Sequence, residues 1–272
     1  MKVAIQGIKG SFHHIVAEEY FGSAIDLVEC MTFGEMPQLL LDKKVDALVM
    51  AIENSIAGAI LPNYALIDDN NLSISGEHYL PIHHNLMGLK GQKIEDIKEV
   101  YSHPMALLQC HNFFKKHPHI KLIEDKDTAA VAKRIQDQNL SGVGAIASYL
   151  AAELYELDVI AAEIQTINEN ATRFFIMTGT DTIKNEASNK ASIKFIASHE
   201  TGSLSDVLGV LAKHKLNLSK IQSLPVINIP WKYAFFADFV YSDYKEYLAA
   251  IEEIKPKVSH LKMLGEYSKS KR

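Results

Sequence analysis

The sequence predicts an α/β protein with a bilobal α/β body followed by a smaller α+β unit. Three observations carry this. From residue 3 to about 164, short apolar strand-like runs alternate with segments of helical period, the pattern of sheets covered by helices. The apolar run at 171–177 then reads as one more strand of the first lobe, so the chain crosses twice between lobes, as in a hinged small-molecule site. After a polar linker between Thr180 and Lys190, the remaining elements fall in the order β-α-β-β-α-β.

Taken in order, residues 3–6 form a strand that ends in Gly7-Ile8-Lys9-Gly10-Ser11-Phe12. Two glycines frame a tight turn, and Ser11 can cap a helix with Phe12, Ile15, Val16 and Tyr20 at helical spacing. Strand, glycine turn and helix start make an anion-friendly arrangement, although the spacing is not a dinucleotide fingerprint. A helix over about 35–44 leads to the apolar strand 47–52, which closes in Glu53-Asn54-Ser55-Ile56-Ala57-Gly58. Such groups at the carboxyl end of a strand stand where crevice ligands bind. Glu53 reads equally as a structural ion pair, and Asn54 as a cap of the next helix.

That helix runs through Leu61, Tyr64, Ala65 and Ile67 to a break at Asp68-Asp69-Asn70-Asn71, and 73–89 reads as extended chain. Neighbours on a strand point to opposite faces, so His83 and His84 do not suit one metal ion, and no metal is expected. After a charged linker at 90–98, a second α/β set follows. It comprises a strand ending in Ser102-His103-Pro104, a helix with Leu107, Leu108, Phe113 and Phe114, and a strand at 120–124. A helix capped at Asp127-Thr128, a strand at 143–147, a small helix capped by Ser148 and a return over 158–164 complete it. Pro104 suits a first helical turn, which sets Ser102 at a strand's carboxyl end. Adjacent Ser102 and His103 do not reach nucleophile–base geometry, and no acidic orienter accompanies them.

The chain is organised around Asn168-Glu169-Asn170-Ala171-Thr172-Arg173-Phe174-Phe175-Ile176-Met177. On a regular strand Thr172, Phe174 and Ile176 share one face while Arg173, Phe175 and Met177 share the other. A hydroxyl at the strand mouth can exchange a proton; an arginine beside it can hold a carboxylate or pin the turn. An ordinary Asx-rich turn entering a core strand fits the same residues.

Composition excludes other classes. With 272 residues and 47% hydrophobic content, the chain can bury the cores of about two domains. A net charge of −5 points away from nucleic acid and membrane surfaces as partners. Cys30 and Cys110 lie far apart, the opening Met1-Lys2-Val3-Ala4-Ile5 reads as a strand rather than a signal peptide, and no apolar run approaches the ~20 residues of a membrane span. These features indicate a reduced, cytoplasmic protein.

Asn170-x-Thr172-Arg173-Phe174 followed by an apolar strand resembles the active-site signature of prephenate dehydratases. Further segments similar to that family run from residue 3 to about 267. They are the Gly7–Phe12 turn, Glu53-Asn54-Ser55 with Gly58, His83-His84-Asn85, Ser102-His103-Pro104, Ala145-Ile146-Ala147-Ser148 and Ala151-Ala152-Glu153-Leu154-Tyr155. His13 stands where the family usually has serine or threonine. The resemblance implies a periplasmic-binding-protein-like catalytic domain over 1–180, with lobe one at 1–72 plus 168–180 and lobe two at 73–165. The implied activity is the decarboxylating dehydration of prephenate to phenylpyruvate in L-phenylalanine biosynthesis. Thr172 is its catalytic residue, and Ser11, Glu53, Asn54, Ser55, Ser102, Asn170, Arg173 and Phe174 surround the substrate. Aromatisation supplies the driving force, so no cofactor is expected. Arogenate dehydratase and a non-catalytic amino-acid sensor are the alternatives; the sensor has no need of Thr172 and Arg173 at the strand mouth. The length leaves no room for a fused chorismate mutase.

The last unit, with strands at 191–198, 216–222, 233–241 and 258–267 and helices at 203–214 and 243–255, resembles an ACT domain spanning 190–272. The resemblance implies assembly as a homodimer or homotetramer. L-phenylalanine would bind at the interface near Gly202, Ser203, Leu204, Asn217, Leu218, Gln222 and Ser223. Phenylalanine-regulated members carry Glu-Ser-Arg-Pro where this chain has Gln222-Ser223-Leu224-Pro225, so one acid and one base are lost together. Dimerisation without effector binding is the other reading of this domain.

Overall fold

The computed structural model describes residues 1–179, 186–198, 200–226, 229 and 232–271; the expected linker therefore lies outside the described residues at 180–185. The chain divides into two compact units, Met1–Gly58 with Tyr79–Phe174 and Ala59–His78 with Phe175–Arg272. Ala59–His78, most of it expected with residues 1–72, thus groups with the C-terminal segment.

One sheet has the strand order Asp26–Cys30, Lys2–Gln6, Ala47–Asn54, Ala171–Gly179, Ser73–Pro81. Lys2–Gln6 is parallel to both neighbours, Val3 pairing with Leu27 on one side and Ala47 on the other. Val3, Ala4, Ile5 and every residue from Ala47 to Ile52 are buried. A parallel strand covered on both faces needs apolar side chains on both, which is why 47–52 reads as a continuous apolar run. A second sheet is ordered Asp158–Ala161, Asn85–Gly88, Val143–Ala147, Glu99–Ser102, Lys121–Glu124. Glu99–Ser102 is parallel to both neighbours and Asn85–Gly88 antiparallel to both.

Three expectations are corrected. The extended chain at 73–89 is two strands, Ser73–Pro81 and Asn85–Gly88, in different sheets. Pro81 has no N–H to continue a ladder, and beyond it Ile82 N donates to Asn170 O at 2.8 Å while His84 N donates to Gln165 Oε1 at 2.9 Å. The helix at 35–44 starts earlier and ends sooner, as a 3₁₀ turn Phe33–Glu35 and an α-helix Met36–Leu41. Thr32 and Glu35 form a capping box, and Lys43 at φ 55° turns the chain out of the helix. The helix carrying Phe113 breaks at Cys110 into Pro104–Gln109 and His111–Phe114.

In the second unit an antiparallel sheet is ordered Asn217–Pro225, Tyr233–Val240, Lys190–Ala197, Val258–Tyr267, with helices Ser203–Lys213 and Tyr244–Ile254 between its strands. Ile193, Phe195 and Phe239 pack against Val207, Leu211, Tyr247 and Ile251 of those helices. Lys190 and Lys194 alternate with Ile193 and Phe195 and so point to the opposite face, where residues 59–78 meet them. Lys190 Nζ lies 2.7 Å from Glu77 Oε2 with both side chains buried, Lys194 and Lys262 pair with Asp68, and Tyr64 meets Phe236 edge-on. Gly265 is obligatory here, since a Cβ would lie 2.0 Å from Ile74 O.

Candidate active site

Within the first unit, the Gly7–Ser11 turn is a socket for the second sheet's helices. Gly7 and Gly10 have φ of 88° and 87°; a Cβ on Gly7 would lie 2.5 Å from Asp127 Oδ2, and one on Gly10 3.0 Å from Ala151 Cα. Ser148 Oγ donates to Gly10 O at 2.5 Å and Tyr155 Oη to Lys9 O at 2.6 Å. Ser11 caps the helix Phe12–Phe21 by accepting from His14 N.

Beside this socket the ends of Ala47–Asn54 and Ala171–Gly179 hold a chain of side-chain amides whose orientation is fixed by the backbone. Asn54 Oδ1 accepts from the amides of Ile56 and Ala57 at 3.0 and 2.9 Å, so Asn54 Nδ2 must be the donor. It donates to Asn170 Oδ1 at 2.7 Å and to Thr172 Oγ1 at 3.0 Å. Asn170 Nδ2 then donates to Gln109 Oε1 at 3.0 Å, and Gln109 Nε2 donates to Asn54 Oδ1 at 3.4 Å. Because Gln109 Oε1 is an acceptor, His84 Nε2, 2.8 Å away, carries the hydrogen. His84 is therefore the neutral Nε2–H tautomer, and burial holds its pKa below the ordinary value. Its Nδ1 is buried with no hydrogen-bond partner among the described residues.

The sense of this chain determines what Thr172 can do. Its oxygen accepts from Asn54, which leaves its own hydrogen to be given to an acceptor. Thr172 is 9% exposed at the mouth of a strand whose next five residues, 173–177, are buried.

The other predicted site residues take different positions. Ser55 Oγ accepts from Ala171 N at 3.0 Å and donates to Glu169 O at 3.4 Å, tying the turn to the strand mouth. Arg173 is buried 3.7 Å from Glu53 Oε1 and lies over the Tyr79 ring. Phe174 packs edge-on against His13, whose imidazole burial pushes down to about 3 and whose Nε2 accepts from Ala51 N at 3.3 Å. Ser102 donates to Ile146 O at 2.7 Å and is not joined to the Asn54 chain. Gln109 and His84 are the residues that sequence reasoning missed. The one available signal for Gln109 was a polar side chain at the end of the otherwise apolar helix Pro104–Gln109. The described residues contain no group of His, Cys, Asp and Glu side chains able to hold a metal ion.

In the second unit, Gly202 at φ 93° starts the helix Ser203–Lys213, Ser203 Oγ donates to Ser198 O, and Leu204 packs on the core. Asn217 and Leu218 begin the strand after that helix. Nine helical residues, 205–213, lie between the two groups, about 14 Å of helix rise. Gln222 donates to Ser223 O at 3.0 Å.

Residues 3–182 match the family model described as prephenate dehydratase. The chain belongs to the prephenate dehydratase family. It is 34% identical over 273 residues to a bifunctional chorismate mutase/prephenate dehydratase of Aquifex aeolicus, covering 99% of this chain and 74% of that one. It is also 34% identical to the chloroplastic arogenate dehydratase/prephenate dehydratase 2 of Arabidopsis thaliana, covering 98% and 72%. The solved prephenate dehydratase of Staphylococcus aureus superposes with a TM-score of 0.85 at 25% identity over 98% of this chain and 100% of that one. An Arthrobacter aurescens prephenate dehydratase in complex with L-Phe shares the fold, with a TM-score of 0.87 at 22% identity over 99% and 90%. Enzymes named prephenate dehydratases are lyases. No helix of the described residues is long and apolar enough to cross a membrane.

Proposed function

We propose that this chain converts prephenate to phenylpyruvate, carbon dioxide and water. The observation that carries this reading is the Asn54 Nδ2 to Thr172 Oγ1 bond of 3.0 Å, which occupies the threonine oxygen and directs its hydrogen away from Asn54. In the reaction the ring hydroxyl departs with the C–O electron pair and takes up one proton to form water. The electrons of the bond to the departing carboxylate become part of the aromatic ring. Thr172 is a weak acid, so it works by polarising the leaving oxygen from a preorganised position, with Asn54, Asn170 and Gln109 holding that position. The Glu53–Arg173 pair balances its own charge beside the strand mouth, so Glu53 does not repel a dianionic substrate as a lone carboxylate would. Ser11 and Ser102 contribute by fixing the elements around the crevice.

Turnover of prephenate to phenylpyruvate at neutral pH, with Thr172→Ala alongside and arogenate as second substrate, tests the reading. Activity that collapses in the folded variant is expected; full activity in Thr172→Ala discards the mechanism, and no turnover by folded wild type discards the enzyme. The arogenate arm addresses a second reading, favoured by similarity to a relative named for both substrates.

We further infer a catalytic domain over 1–180 with a periplasmic-binding-protein-like arrangement and an ACT-type regulatory domain over 190–272. The βαββαβ order and the antiparallel sheet support the latter. The separation of Gly202–Leu204 from Asn217–Leu218 supports an effector site completed by a second copy, hence a homodimer or a tetramer built from it. L-phenylalanine is the proposed effector, in line with the complex named for the Arthrobacter protein, and a biosynthetic role fits a cytoplasmic enzyme.

A further inference from the structure

We propose that His13 selects a keto-acid substrate over the corresponding amino acid, by presenting a fixed hydrogen-bond donor where the two differ; the identity of that pair, prephenate and arogenate, rests on the reaction proposed above. His13 stands in the first turn of the helix Phe12–Phe21. Its ring meets Phe174 edge-on with centroids 5.0 Å apart, Phe33 lies 5.4 Å away, and Nε2 accepts from Ala51 N at 3.3 Å.

One ring nitrogen is left over. A neutral imidazole carries a single N–H, and with Nε2 accepting, that hydrogen is on Nδ1. Nδ1 has no hydrogen-bond partner among the described residues, and unlike His84 Nδ1 it is not sealed from solvent, although His13 as a whole is only 8% exposed. It therefore borders open space with a hydrogen to give. The tautomer is locked, since moving the hydrogen to Nε2 would set it against Ala51 N–H. Burial pushes the imidazole down to about 3, so at neutral pH it offers a donor without a charge.

That donor lies on the working face of the strand Ala171–Gly179. Phe174, against which the imidazole packs, shares a face with Thr172 and stands two residues along, a rise of about 7 Å. This is the scale of a six-membered ring with a substituent at each end. A substrate whose hydroxyl meets Thr172 thus turns the other end of its ring towards His13. In prephenate that end carries two carboxylates and a keto oxygen, all acceptors. Arogenate has an ammonium in place of the keto oxygen, a group that only donates. A donor held against a donor leaves both unpaired, and a site built to hydrogen-bond one group rejects the analogue that cannot answer it. A hydroxyl at position 13 would not discriminate in this way, because it gives or accepts as required.

The test compares kcat/KM for prephenate and arogenate on single preparations of wild type, His13→Ser and His13→Phe, so that the folded fraction cancels from each ratio. Wild type is expected to prefer prephenate by about tenfold or more. His13→Ser should bring the two substrates within about threefold of each other, and His13→Phe, which keeps a ring without the donor, should lower the ratio about tenfold. A residue that merely props Phe174 would lower both substrates together. A ratio unmoved by both substitutions therefore overturns the proposal, as does a wild type without preference for prephenate. If folded wild type turns over neither substrate, the proposed reaction fails separately, and phenylpyruvate is titrated calorimetrically into wild type and His13→Phe. Binding weakened about tenfold in the variant sustains the keto-acid donor, and unchanged binding overturns it.

Discussion

Asn54→Asp replaces one side-chain nitrogen by oxygen and reverses the sense of the amide chain at its origin. The retained oxygen still accepts from Ile56 N and Ala57 N. The replaced atom, however, donated to Asn170 Oδ1 at 2.7 Å and to Thr172 Oγ1 at 3.0 Å, and both become contacts between acceptors. The Thr172 hydroxyl then rotates to donate to the new carboxylate, and its hydrogen is withdrawn from the substrate. Loss of one preorganised donor costs about 10²–10³ in kcat, or about 2.7–4 kcal/mol. The misdirected hydrogen belongs to the same step, so the two losses do not add. The expected variant stays folded with a lowered melting temperature and loses about 10²–10³ in kcat, with KM changed less than about threefold. Its residual rate should rise as pH falls, because the protonated carboxyl again has a hydrogen to give. Steady-state phenylpyruvate formation measured across pH checks both statements. A folded variant with kcat within about threefold of wild type would refute the reasoning.

Lys190→Met leaves Glu77 buried without its cation and should cost about 3–5 kcal/mol in urea unfolding, most of it recovered when Glu77→Leu is added. An equal loss in the single and double variants would contradict this account of the pair. Gly7→Ala forces an L residue to φ 88° and sets a methyl 2.5 Å from Asp127 Oδ2; a loss of about 1–3 kcal/mol is expected, and Asp127→Ala should restore only part of it because the backbone strain stays. His214 bonds Glu253 at 3.0 Å and Glu246 at 2.8 Å, and these partners raise its pKa. The stabilisation is therefore complete below the ordinary value of 6.5 and lost as pH rises through the raised value. Melting temperature should fall more steeply over this range in wild type than in His214→Gln, and parallel profiles would count against the linkage.

The strands were legible where burial leaves a mark on composition. Residues 47–52 and 172–177 are buried and sit in strand runs that read as apolar, and Asn54, Asn170 and Thr172 were singled out because they stand at the ends of those runs. Gln109 and His84 were not singled out, because Gln109 meets Asn54 and Asn170, and His84 meets Gln109, across chain separations that no local period encodes. The same limit applies to the Gly7–Ser11 turn. Its sequence suits an anion, yet Gly7 N donates to Cys30 O, Lys9 N to Glu29 Oε1, Gly10 N to His14 Nδ1 and Ser11 N to Ile8 O, so those amides are already engaged. Ser102 is a parallel case, a hydroxyl at a strand end that bonds the neighbouring strand. Which donors are left over is a property of the assembled neighbourhood.

The socket at Gly7–Ser11 has a bearing on how this family can drift. Its receiving atoms are main-chain carbonyls of Lys9 and Gly10, while the donors are the side chains of Ser148 and Tyr155. The obligations are thus unevenly shared between the two sides of the joint. Substitution at position 8 or 9 leaves every carbonyl in place, so that side is open to change apart from its glycines. Position 148 answers to two demands at once, since its oxygen also caps the helix Tyr149–Leu154 through Ala151 N. A lineage that lost this hydroxyl would lose a fastening and a helix start in one step.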